Sequence, residues 1–260
     1  MVHNFLSLFL FFCLILFFPH CSLQKKTSSM EKNKEQAELF LSHGTQKLQE
    51  AEYTQALSLL LKAYSLNPKH SKIVNNLAMA YYFKEELLLA EEKLKEAIAL
   101  DPKNMSAKLN LASLYLQKDQ MNKAENIYQD SLKDLSYPLH YQTYYNLGLI
   151  SLRRSDLDKA EQFFAKSVKE KQDYCPSHLE LGKIFFEKEE WEKSYDSFKH
   201  STKGICYNNP DGHFYQAKVL EKMSQNQKAL LKYREITDRF PNTSFGKQSE
   251  EHLYKLGQTQ

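Results

Sequence analysis

The sequence predicts an all-α solenoid of about six helix hairpins closed by a C-terminal capping helix. Three observations predict it. Small, large and turn residues recur at a spacing of about 34 almost to the end of the chain. Within each period the apolar residues keep the i, i+3, i+4, i+7 spacing of helices buried on one face. Turn residues, among them Pro102 and Pro138, separate one period from the next.

Met1 to His20 stands apart from this pattern. Phe5 to Phe18 is apolar except for Ser7, is too short for a span of roughly 20 residues, and ends at Pro19-His20-Cys21. Residues 1–20 read as a secretory signal peptide. A cysteine directly after the apolar run resembles the lipobox of bacterial lipoproteins, in which that residue becomes the acylated first residue of the mature chain. The match departs at His20, where a small residue is usual, and at the n-region, which offers only His3. Ordinary cleavage without lipidation and a start at Met30 stay open beside lipidation of Cys21. Residues 21–36 then read as a flexible tether, because Leu23 and Met30 alone cannot offset the entropy of ordering so polar a stretch. A serine after the lipidated cysteine favours the outer membrane under the lipoprotein sorting rule.

The period is clearest from Ser71 to Asn104. Numbered from 1, Leu77 and Ala78 hold positions 7 and 8, Tyr81 holds 11, Ala90 holds 20, Leu94 holds 24, Ala97 holds 27 and Pro102 holds 32. Ala78 and Ala90 let two antiparallel helices approach, Tyr81 and Leu94 fill the space beside the contact, and Pro102 stops the second helix. This resembles the tetratricopeptide repeat, which implies that the hairpins wind into a right-handed superhelix.

Six repeats follow at 37–70, 71–104, 105–140, 141–174, 175–209 and 210–243. Position 8 reads Gly44, Ala78, Ala112, Gly148, Gly182 and Ala217, and position 20 reads Ala56, Ala90, Ala124, Ala160, Ser194 and Ala229. Ala, Gly and Ser make up about a sixth of the chain, so twelve small residues at twelve positions are not a composition effect. Position 24 is always large: Leu60, Leu94, Tyr128, Phe164, Phe198, Tyr233. The third repeat carries two extra residues at Tyr137-Pro138-Leu139-His140, and 244–260 reads as the capping helix and tail that a solenoid end requires.

Chemistry has little place in such a chain. Net charge is +3, from 35 basic and 32 acidic residues, which gives no reason to expect nucleic acid. The histidines make no H-E-x-x-H and no paired metal spacing, and there is no P-loop, G-x-S-x-G or C-x-x-C. No catalytic residue, metal, cofactor or small-molecule substrate is expected. Cys175 opens the first helix of repeat five and Cys206 lies just past its second. Those ends are neighbours in an antiparallel hairpin, so a disulfide is expected; two unpaired buried thiols are the alternative.

What remains is a binding surface. Positions 2, 5, 9 and 12 of each first helix lie about one hundred degrees from the core face and line the concave side of this repeat class. They carry Leu41 and Leu48, Met79 and Tyr82, Leu109 and Leu116, Tyr145, Leu149 and Leu152, Leu179 and Phe186, and Phe214. About half of these are expected to be covered by the next repeat. The rest would form an apolar groove for an amphipathic helix or strand.

From repeat three to repeat five a narrower likeness emerges. Leu135-Ser136-Tyr137-Pro138, Asn146-Leu147-Gly148-Leu149, Ala160, Phe163-Phe164 and Lys166-Ser167 resemble the type IV pilus biogenesis and stability lipoproteins, the pilotins. In that family six repeats follow a lipidated cysteine; the Cys175/Cys206 pair has no counterpart there. The resemblance implies a non-catalytic, lipid-anchored protein on the periplasmic face of the outer membrane. It would bind secretin subunits and promote their assembly, with the stripe around Leu41, Met79, Tyr82 and Leu116 receiving a secretin segment. A scaffold for other envelope machinery, such as peptidoglycan hydrolases or barrel assembly, is the alternative.

Overall fold

Each repeat folds because its two amphipathic helices cannot hide their apolar faces except against each other and the next pair. The computed structural model describes the backbone of residues 20–257 and the side chains of residues 29–257. The signal-peptide reading of residues 1–20 lies outside them except at His20. Among the described residues there are thirteen α-helices, one short 3-10 turn and no strand, so the chain is an all-α superhelical solenoid.

The six hairpins are α1 (His20–Gln49) with α2 (Tyr53–Leu66), α3 (Ser71–Phe83) with α4 (Leu87–Leu100), and α5 (Met105–Gln117) with α6 (Met121–Ser131). They continue as α7 (His140–Arg153) with α8 (Leu157–Glu170), α9 (Cys175–Glu187) with α10 (Trp191–Ser201), and α11 (Pro210–Lys222) with α12 (Asn226–Arg239). Helix α13 (Ser244–Gly257) closes the array on α12. Three of the first helices, α3, α5 and α11, start on side-chain caps: His70 accepts from the Ile73 N–H, Asn104 from Ala107 and Asn209 from Asp211.

The expected flexible tether is corrected. Residues 21–36 lie within α1, which runs unbroken from His20 into the first repeat. Lysine, glutamate and glutamine are good helix formers, so a helix already nucleated by the packed repeat propagates outward through them. Residues 29–36 are all exposed, so that part of the extension rests on propensity and not on burial.

Within a hairpin, position 24 of the second helix lies over position 8 of the first. Leu60, Leu94, Tyr128, Phe164, Phe198 and Tyr233 are all fully buried. A Cβ on Gly148 would fall 2.6 Å from Phe164 Cε1, and one on Gly182 would fall 2.5 Å from Phe198 Cε1. The rings therefore occupy the space that glycine leaves.

Between hairpins, position 27 meets position 3 of the next first helix, and the two halves of the molecule solve this joint differently. In the N-terminal half the residues are Ala63 with Ile73 and Ala97 with Ala107, each pair within one apolar cluster. Further along they are polar and buried. Ser131 Oγ lies 3.3 Å from Thr143 Oγ1, Ser177 donates to Ser167 Oγ at 2.7 Å, and Ser167 donates to the Tyr141 carbonyl. Short hydroxyls that satisfy one another allow the same close approach as alanine.

Candidate partner-binding surface

First helices present positions 2, 5, 9 and 12 to one side of the array, and the twelve apolar residues there divide by burial. Leu41, Leu109, Leu116 and Phe214 are core residues, between 3% and 9% exposed, so as groove-lining positions they are corrected. Leu41, Leu109 and Leu116 pack in clusters that include residues of the next first helix, and Phe214 packs on Phe245 and Leu256 of α13. Leu48, Met79, Tyr82, Tyr145, Leu149, Leu152, Leu179 and Phe186 are half-buried. Of these, Leu48, Tyr82, Tyr145, Leu149 and Leu152 pack against core clusters, while Met79, Leu179 and Phe186 belong to none. The apolar surface is thus a string of half-open side chains.

Sequence reasoning missed the polar half of this face. Asn110 donates to Asn75 Oδ1 at 2.9 Å, Asn75 to Asn76 Oδ1 at 3.0 Å, Asn76 to Thr45 Oγ1 at 2.7 Å, and Thr45 to the Leu41 carbonyl. This amide ladder ties the first three repeats together along the face that also carries Met79. Its signal was present: position 6 reads Ser42, Asn76, Asn110 and Asn146. Apolar periodicity does not register such a row.

The structure brings Cys175 and Cys206 together, with a bond between their sulfurs at 2.03 Å. Cys206 ends the 3-10 turn Gly204–Cys206, which replaces the last turn of a short α10, and Cys175 opens α9. Cys21 lies in α1, and its side chain is outside the described residues.

Among the described residues, the groups with shifted pKa values are held in the charge states they ordinarily have near neutral pH. Lys118 and Lys95 bond Glu91 and hold its carboxyl down to about 2, and the other shifted carboxylates move the same way. Burial pushes the Tyr145 and Tyr174 phenols up to about 12, keeping them neutral. Burial lowers His178 and His213, but each bonds a backbone carbonyl, of Gln172 and Tyr207 respectively. No group of metal-ligating side chains occurs among the described residues, and none of their helices is long and apolar enough to cross a membrane.

Family profiles described as tetratricopeptide repeat match residues 41–104, 85–135 and 141–174. The chain is a tetratricopeptide-repeat protein. In this repeat class the fold is a protein-interaction module, and no feature of the described residues indicates catalysis. No curated protein matches the chain in sequence. Among solved structures, Pseudomonas aeruginosa PilF superposes with a TM-score of 0.72 at 19% identity, over 85% of this chain and 99% of that one. PilW, described as a widely conserved type IV pilus biogenesis factor, gives 0.70 at 17% identity, over 82% and 97%. The Cut9–Hcn1 hetero-tetramer gives 0.71 at 17%, but this chain spans only 44% of that one. At these identities the likeness is one of fold.

Proposed function

We propose that this tetratricopeptide-repeat protein is a pilotin: a lipid-anchored adaptor that binds secretin subunits and promotes their localisation and assembly at the outer membrane. The observation that carries the reading is co-extension. This array and those of PilF and PilW match over nearly the whole of both partners, whereas a longer array such as Cut9 contains it as a part. The Tyr137-Pro138 insertion followed by Asn146-Leu147-Gly148-Leu149, on which the family resemblance rests, lies in the turn before α7 and in α7 itself.

The mechanism is binding. Met79 and Tyr82, half-open beside the amide ladder, offer apolar area, while the ladder's amides offer hydrogen bonds to the main chain of a secretin segment. Cys21, acylated, would hold the array at the periplasmic face of the outer membrane, where a disulfide such as Cys175–Cys206 persists.

An affinity pull-down from the cell envelope, run with Cys21→Ser alongside, tests this. Secretin should copurify with both forms and reach the outer membrane only with Cys21. Met79→Glu with Tyr82→Glu should abolish copurification while the array stays folded. Hydrolases or barrel-assembly subunits in place of secretin would transfer the function to envelope scaffolding.

A further inference from the structure

In repeats five and six, well along the array from the stripe around Met79, the same first-helix face carries lysines that lean on aromatic faces. Trp191, the single tryptophan of the chain, meets Phe186 edge-on at 5.3 Å, and Phe186 meets Tyr215 at 6.1 Å. Tyr215 stacks at 5.3 Å on the fully buried Phe198, which gives the rings a fixed floor. Lys218 Nζ lies 5.2 Å from the Phe186 centroid, 5.5 Å from Tyr215 and 5.8 Å from Phe214, and Lys222 lies 6.0 Å from Trp191.

A ring face positions an ammonium group but does not neutralise it. Among the described residues, Lys218 and Lys222 have these rings as partners and no carboxylate within ion-pairing distance. The acids beside them are committed. Glu180 pairs with Lys183 at 3.1 Å, and Glu221 accepts from the Tyr233 hydroxyl and faces His252 Nδ1 at 2.8 Å. Two pre-positioned cations without counter-ions thus stand beside half-buried aromatic area. An incoming carboxylate would form charge-assisted hydrogen bonds there without breaking an existing ion pair.

We propose that this surface binds an acidic segment of a protein partner. A carboxylate lies against Lys218 and Lys222, and a neighbouring aromatic or aliphatic side chain packs on Phe186 and Trp191. The inference does not rest on the secretin reading, since no residue of the first three repeats takes part.

The test is selection of a short random-peptide phage library on the full chain and, in parallel, on Lys218→Glu with Lys222→Glu. The wild type should enrich peptides with Asp or Glu next to an apolar residue, and the charge-reversed form should not. An enriched peptide, synthesised, should shift the emission of Trp191 and bind about tenfold or more weakly to Lys218→Gln, with further weakening in high salt. Binding to Met79→Glu should be unchanged. If the charge-reversed pair does not fold, Lys218→Gln and Phe186→Ala take its place in the selection. Four results would each overturn the proposal: no enrichment, no acidic bias, equal selection by a folded variant, or tighter binding of oligothymidylate than of any peptide.

Discussion

Gly148 has no space for a methyl group, because the edge of the Phe164 ring already lies where its Cβ would be. Gly148→Ala should therefore destabilise the protein by about 1–3 kcal/mol, overpacking outweighing the gain in helix propensity of about 1 kcal/mol. Phe164→Leu introduced together with it should recover part of the loss in a thermal melt. An opposite case recurs at position 15, the turn inside every hairpin. Ala51, Glu85, Asp119, Ser155, Glu189 and Ser224 all have positive φ, between 55° and 64°. A side chain there costs roughly 1–2 kcal/mol, partly offset by the greater entropy that glycine loses on folding. Ser155→Gly and Glu189→Gly should each raise the urea midpoint, by about 0.5–1 kcal/mol in stability. Asp119→Gly should gain least, since aspartate tolerates this conformation. No residue type marks position 15, so the strain was not legible in the sequence; the small residues at position 8 were.

The joint between the fifth and sixth hairpins is the element where covalent and electrostatic constraints meet. Helix α10 stops at Ser201, and the chain returns to α9 through the Cys175–Cys206 bond across 31 positions of sequence. Closing a loop of that length stabilises by roughly 3–4 kcal/mol in the chain-entropy model, so Cys175→Ser with Cys206→Ser should lower the melting temperature of this end of the array. Close by, His178 stacks on His200, and in the next hairpin His213 is buried, its Nδ1 without a hydrogen bond and 3.6 Å from Glu235 Oε1. Burial depresses the pKa of His178 and His213 below the ordinary 6.5. The unfolded chain then binds protons first as pH falls. The neutral histidines contribute full stability above about 6.5, and that contribution is lost progressively as pH drops below it. Melting temperature should be flat above neutral pH and decline as pH falls below about 6.5, less steeply in a His213→Gln variant.

At the scale of the molecule, the core of the described residues is four clusters strung along the array, so stability is passed from neighbour to neighbour. Removing α13 uncovers the face on which Leu256 packs with Phe214, Tyr233 and Ile236. Hydrogen exchange should then show lost protection in α11 and α12 while α3 to α8 keep theirs. The period, the hairpin count, the buried large residues at position 24 and the cap were all determined by the sequence alone. Each depends on a local rule: helical spacing, small against large, and proline or polar punctuation. The binding face was only partly legible. Whether Leu41, Leu109, Leu116 and Phe214 face a partner or the next helix depends on how far each hairpin rotates on its neighbour. That rotation is set by joints such as Ser167–Ser177, which couple residues of successive repeats. Likewise the amide ladder from Thr45 to Asn110 and the rings around Lys218 join side chains from two or three hairpins. Spacing along one helix specifies which face a residue occupies, and only the stacking of hairpins decides what that face meets.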